Sequence, residues 1–156
     1  MTTTNTPKRT AGLATALALL LGMLGHFEGD RYTAYRDLAG IWTICEGETH
    51  GVKAGDTATP EQCRQMTTSE ALRSLSAVDA ALTIHPPPAR WAALADFQYN
   101  VGQGNFLRSG VLRRINAGDI QGGCDELRRW VYVRGRVIGW QVKRRAAERG
   151  LCLKGG

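Results

Sequence analysis

A chain of 156 residues with 43% hydrophobic side chains is one domain's worth and can bury a core; it carries no internal repeat or low-complexity tract, which excludes a repeat array. The formal charge of +6 at pH 7 favours an anionic partner, whether nucleic acid, acidic lipid or the acidic polymers of a cell wall. No helix-turn-helix, zinc-finger or RNP-like pattern accompanies that charge, so no nucleic-acid partner is expected.

Residues 1–7 are polar and read as a disordered lead-in. Lys8 and Arg9 then precede an apolar run from Ala11 to Leu24, which Phe27 extends. As a helix it spans roughly 25 Å at about 1.5 Å per residue, short of a hydrocarbon core of about 30 Å. Its many Ala and Gly residues also make it weakly hydrophobic for its length. Three readings stand. A cleaved signal peptide needs small residues at a processing site, and Leu24-Gly25-His26-Phe27 is a poor one. A buried core helix fits the length. The favoured reading is a signal anchor held loosely in a membrane, with Lys8 and Arg9 before it and Glu28 and Asp30 after it placing its N-terminus in the cytoplasm. The chain then divides into 1–27 and 28–156.

From Gly29 to Gly55 the text is strand and turn, Arg31 to Tyr35 and Gly40 to Cys45, which predicts a small antiparallel sheet. Thr59-Pro60-Glu61-Gln62 is a helix start with Thr59 as N-cap. That helix carries apolar residues at Met66, Leu72, Leu75 and Val78, runs to about Ile84, and is stopped by Pro86-Pro87-Pro88. Trp91 to Val101 is helical, and further helices are predicted near Asn105 to Asn116 and Ile120 to Tyr132. Gly135 to Gly139 reads as a loop and Trp140 to Arg149 as the closing helix, followed by Cys152. The layout is α+β: a small sheet lobe, one long helix, then a helical lobe, with a cleft between lobes. The late basic residues, Arg113-Arg114, Arg128-Arg129, Arg134, Arg136 and Lys143-Arg144-Arg145, read as solvated helix faces.

Cys45, Cys63, Cys124 and Cys152 contain no CxxC pair, and His26, His50 and His85 are scattered, so no metal site is expected. Isolated cysteines in even number fit disulfides in an oxidising compartment, with four buried thiols as the alternative. Of the three connectivities, local order favours Cys45 with Cys63 and Cys124 with Cys152.

Chemistry concentrates just after the apolar run. The pattern Glu28-x8-Asp37-x5-Thr43 brings two carboxylates and a hydroxyl onto one glycine-punctuated stretch. One protonated carboxyl beside a leaving oxygen and one ionised carboxylate orienting water are the minimum for cutting a glycosidic bond with inversion, without metal or cofactor. Glu28, where an apolar helix ends, can be partly desolvated, which suits an acid. Asp37 lies on the loop between the strands and Thr43 on the second strand. Read singly, each is more often an ordinary solvated polar residue.

Together, with Tyr35, Gly40 and Gly47, these residues closely resemble the catalytic stretch of phage lysozymes of the T-even and lambdoid type, the muramidases of glycoside hydrolase family twenty-four. The resemblance continues through Phe97-Gln-Tyr-Asn-Val-Gly-Gln-Gly-Asn-Phe106, Leu112-Arg-Arg-Ile-Asn116, Cys124-Asp-Glu-Leu-Arg-Arg-Trp130 and Arg144-Arg145-Ala-Ala-Glu148-Arg149-Gly-Leu-Cys152. With the N-terminal run and the cysteine positions, it is most like the signal-arrest-release endolysins of lambdoid phages and prophages. It implies a lysozyme-like catalytic domain over 28–156, a release helix over 1–27, Glu28 as general acid, Asp37 as water-orienting base and Thr43 as helper. The implied substrate is the β-1,4 bond between N-acetylmuramic acid and N-acetylglucosamine in peptidoglycan. Asn100 matches a cleft-lining position, with a helix-end cap as the plainer role. A monomer is implied, tethered to the inner membrane and then periplasmic, lysing the host cell. One departure is Glu48, where many relatives carry a histidine; His50 follows two residues on.

No cysteine lies in the apolar run, so a thiol in the anchor cannot cap the chemistry. Position remains as the control: with Ala11 to Phe27 in the bilayer, Glu28 is pinned at the membrane and cannot meet Asp37. Two other classes stand beside this reading. A lytic transglycosylase needs the glutamate but no water-holding aspartate, and a membrane-anchored peptidoglycan-binding module needs neither.

Overall fold

The computed structural model describes residues 6–29 and 31–154. In chain order the elements are α1 (Thr6–Phe27), β1 (Arg31–Arg36), β2 (Trp42–Cys45), α2 (Pro60–Ala81), α3 (Pro88–Val101), α4 (Gln103–Arg108), α5 (Gly110–Asn116), α6 (Ile120–Glu126), a 3-10 turn (Leu127–Arg129), β3 (Tyr132–Val133), β4 (Arg136–Val137) and α7 (Gly139–Leu153). The expected α+β layout holds: β1 and β2 form the small antiparallel lobe, α2 leads out of it, and α3 to α7 build the helical lobe. The polar lead-in at residues 1–5 lies outside the described residues, and α1 has already begun at Thr6.

The sheet pairs Tyr35 with Thr43 and Arg36 with Trp42. Residues 56–58 run along the other edge of β1, where Ala34 N–H donates to Asp56 O at 2.8 Å and Ala58 N–H to Tyr32 O at 2.8 Å. The start of α2 is a capping box, with Gln62 N–H donating to Thr59 Oγ1 at 3.1 Å and Thr59 N–H to Gln62 Oε1 at 2.8 Å. The helix stops at Ala81, before the predicted Ile84, because Asn116 takes over its end: Nδ2 donates to Ala81 O and Oδ1 accepts from Thr83 N–H, both at 3.0 Å. Its buried face is Cys63, Thr67, Ala71, Ser74, Leu75 and Val78. Met66 and Leu72, two of the four apolar positions read from the pattern, face outward at 37% and 39% exposure.

Further differences follow: the helix predicted from Ile120 to Tyr132 ends at Glu126 and passes through the 3-10 turn into β3. The helix predicted from Asn105 to Asn116 is broken at Ser109, whose hydroxyl donates to Phe106 O at 2.7 Å and accepts from Leu112 N–H at 3.2 Å, capping α5 anew. The predicted loop at 135–139 is partly strand. Arg134 and Gly135, both at positive φ, make the two-residue turn that closes the β3–β4 hairpin, Val133 opposite Arg136. Cys152 sits inside α7, which runs past the predicted Arg149.

Both expected disulfides are present. Cys45–Cys63 ties β2 to the first turn of α2, and Cys124–Cys152 ties α6 to the last turn of α7. The core gathers around α3, where Arg90 to Phe97 are buried without a break. Helix α1 lies against α3 and α2, and its Ala16, Leu20 and Leu24 are fully buried beside Leu75, Val78 and Leu94. In this state the apolar run is therefore a core helix. Among the described residues no helix is long and apolar enough to cross a membrane.

Candidate active site

Glu28 follows α1 directly, its backbone N–H still donating to Leu24 O at 2.8 Å. The seating of α1 thus decides where this carboxyl lies. Its side chain is 15% exposed, and Oε1 accepts from Arg144 Nη1 at 2.6 Å. Arg144 is held in turn by Asp96, which accepts from Nε at 2.9 Å and from Nη2 at 3.0 Å, and its guanidinium lies 5.6 Å from the Phe27 ring. Burial works against the Arg144 charge, but the Asp96 carboxylate outweighs it and holds the guanidinium above its ordinary pKa. Burial likewise pushes Asp96 up, yet Arg144 and the hydrogen bonds around it hold that carboxyl below its ordinary value.

Gly47 forms the wall behind Glu28. Its φ is +94°, and a Cβ there would stand 3.0 Å from Glu28 Oε2 and 3.2 Å from the Tyr99 ring. Tyr99 reaches across from α3 and donates its hydroxyl to Glu46 O at 2.7 Å, pinning the sheet loop to the helical lobe. Burial first, then the charge of Glu28, push the Tyr99 phenol up, so it stays a donor.

Asp37 opens the loop between the strands. Its Oδ1 accepts from Ala39 N–H and Ile41 N–H, both at 2.9 Å, which fixes the carboxylate by the turn it closes. Thr43 is only 2% exposed and its hydroxyl donates to Ile41 O at 3.0 Å, leaving the oxygen's lone pairs to accept. Tyr35, opposite Thr43, is half-buried, and its phenol is pushed up by burial, then by the charge of Glu28 and, last, that of Asp37.

Asn100 belongs to the neighbouring buried network: its Oδ1 accepts from Arg145 Nη2 at 2.8 Å, tying α3 to α7. Arg145 also pairs with Glu148, at 2.8 Å from Nε to Oε2. Burial pulls Arg145 below its ordinary value, while burial and the Asp96 charge push Glu148 well above its own. Arg144 and Arg145 are thus buried, and the solvated-face reading fails for them, though Arg113, Arg128, Arg129, Arg134 and Arg136 are exposed. The signal lay in helical spacing: Gln141, Arg144, Arg145, Glu148 and Cys152 form one buried stripe of α7. Asp96 and Tyr99 were also missed. Glu48 accepts from His50 N–H at 2.8 Å and closes a local turn. Among the described residues no group of three or more His, Cys, Asp or Glu side chains could hold a metal ion.

The sequence profile described as phage lysozyme matches residues 25–148, spanning Glu28, Asp37 and Arg144 together. The chain belongs to the phage lysozyme family. Relatives of this phage lysozyme include the SAR-endolysin of Pseudomonas phage phiKMV, 42% identical over an alignment of 154 residues that covers 96% of this chain and 93% of that one. The SAR-endolysin of Enterobacteria phage PA-2 is 37% identical over 146 residues, 92% of this chain and 88% of its own. Among solved structures, the muramidase domain of SpmX from Asticaccaulis excentricus is similar with a TM-score of 0.78 at 28% identity, covering 87% of this chain and 95% of that one. An alignment over 96% of the chain necessarily takes in most of α1, so the likeness to the phiKMV protein extends to the apolar helix.

Proposed function

We propose that this phage lysozyme is an endolysin, a muramidase that hydrolyses the β-1,4 bond between N-acetylmuramic acid and N-acetylglucosamine in peptidoglycan with inversion, and so lyses the host cell. The observation that carries the reading is Glu28 in its largely buried seat against Arg144, with Asp37 fixed by its turn on the hairpin that also carries Thr43. Glu28, protonated, gives its proton to the leaving glycosidic oxygen. Asp37, ionised, orients a water on the other face of the sugar and takes its proton as it attacks. Thr43 accepts from that water through the lone pairs its bond to Ile41 leaves free. Asn100 lines the sugar cleft. The scheme uses no metal or cofactor, and the protein acts as a monomer on an anionic polymer that suits its net charge of +6.

Before it acts, α1, too short and too weakly apolar for a firm span, holds the chain only loosely in the inner membrane with the remainder in the periplasm, where two disulfides are at home. Leaving the lipid, the helix docks on α3 and α2 and delivers Glu28 to Arg144. Support comes from the lack of any linker between Phe27 and Glu28 and from the burial of Ala16, Leu20 and Leu24. Gly22 gives a clean probe, since a Cβ there meets nothing within 4 Å in the folded state. Gly22→Leu, with Gly12→Leu, makes the anchor more apolar, and cells carrying it should lyse late; lysis at the normal time refutes release.

Activity is tested on purified peptidoglycan by loss of turbidity. Glu28→Gln should be inactive, and products of the native protein should carry hydrolysed reducing ends. An active Glu28→Gln refutes the assignment, and 1,6-anhydro ends would make the protein a lytic transglycosylase.

A further inference from the structure

We propose that Asp96 is a positioning residue for this reaction: by pairing two-pronged with Arg144 it offsets that arginine's charge, so that Arg144 orients Glu28 without fixing it as an anion. The inference rests on the reading of Glu28 as the proton donor. A donor must still carry its proton when the sugar binds, yet a lone guanidinium at 2.6 Å is a strong trap for the carboxylate form. Here Arg144 gives two of its three nitrogens to Asp96 and only Nη1 to Glu28. Neither Arg144 nor Asp96 has any side-chain exposure, so no solvent screens the pair and the negative charge acts at close to full strength.

The remaining groups around the pair do not supply that balance. From α7, Arg145 is occupied by Glu148 and by Asn100. The Glu148 carboxyl is 3.7 Å from Arg144 Nε, against 2.9 Å for Asp96 Oδ2, and burial and Asp96 itself push it toward its neutral form. From β1 and α3, Tyr35 and Tyr99 feel the Glu28 charge but remain uncharged phenols near neutral pH. Asp96 is left as the anion set against Arg144.

Asp96→Asn keeps the size and one acceptor oxygen and removes the charge. The pH–rate profile of peptidoglycan clearing should then lose its alkaline side first, that limb moving about one unit toward acid, with about tenfold less activity on it and a near-native rate at acid pH. A folded Asp96→Asn with the native profile, or with a loss equal at every pH, overturns the proposal. Should the variant not fold, carboxyl carbon NMR of the native protein decides: Asp96 must stay ionised across the whole active pH range, and uptake of a proton within that range overturns the proposal. Glu28→Gln separates the two levels. If it is active, the donor reading itself fails; if it is inactive while Asp96→Asn keeps the native profile, only the role of Asp96 fails.

Discussion

Gly47→Ala tests how tightly the proton donor is seated. At φ +94° an alanine is strained whatever surrounds it, at a cost of about 1–2 kcal/mol of stability. Its Cβ would also stand 3.0 Å from Glu28 Oε2, 3.1 Å from Glu28 Cδ and 3.2 Å from Tyr99, against ordinary contacts of about 3.5–4.0 Å. Glu28 must therefore retreat by roughly half an ångström, and since misplacement by about 1 Å can cost about 100-fold in rate, about tenfold is expected here. Gly55→Ala is the control: φ is +84° but nothing lies within 4 Å, so it carries the backbone cost alone. Urea melts should show the backbone cost in both variants and a further loss only in Gly47→Ala, while turbidity assays find only Gly47→Ala slow. Full activity in a folded Gly47→Ala, or an equal loss of activity in Gly55→Ala, refutes the reasoning.

Replacing Cys124 and Cys152 by serine opens a loop whose ends are 28 residues apart, and the unfolded chain should gain freedom worth about 3.5 kcal/mol, read as a lower denaturation midpoint. Leu20→Ala leaves a cavity between α1 and the bundle where no exposure exists now, and should cost about 2–5 kcal/mol; a loss under about 1 kcal/mol would mean that α1 is not part of the folded core. Glu148 gives a pH dependence. Its carboxyl is raised in the fold, so the native state holds more protons than the unfolded chain above the ordinary value of about 4.3. The stability it contributes is full below that value and lost as pH rises through the raised one. Glu148→Gln should therefore narrow the difference between melts at pH 5 and pH 8, and an unchanged difference counts against this assignment.

Much of the molecule was legible because the deciding physics is local. The capping box at Thr59 sets the start of α2, and cysteines close in sequence set both disulfides. The three residues of the proposed chemistry fall on one hairpin and its approach, within reach of a pattern. What sequence reading lost is tertiary. The end of α2 is set by Asn116, from a helix far along the chain. The break at Ser109 depends on a hydroxyl that serves equally well inside or between helices. Arg144 and Arg145 carry charges that composition assigns to solvent, and only the partners brought in by α3 and α7, Asp96, Asn100 and Glu148, make their burial tolerable. The fate of α1 was the hardest to read, since a run apolar enough to enter lipid is also apolar enough to pack on α3.

The central claim, a donor at Glu28 working with a water held by Asp37, is tested most directly by the stereochemistry of the product. Proton NMR of a peptidoglycan fragment during the first turnovers reports which anomer of the new muramic reducing end forms before mutarotation. Attack by water from the face opposite the leaving sugar gives the α-anomer first. Initial formation of the β-anomer would mean retention through an enzyme-bound intermediate and would contradict the account.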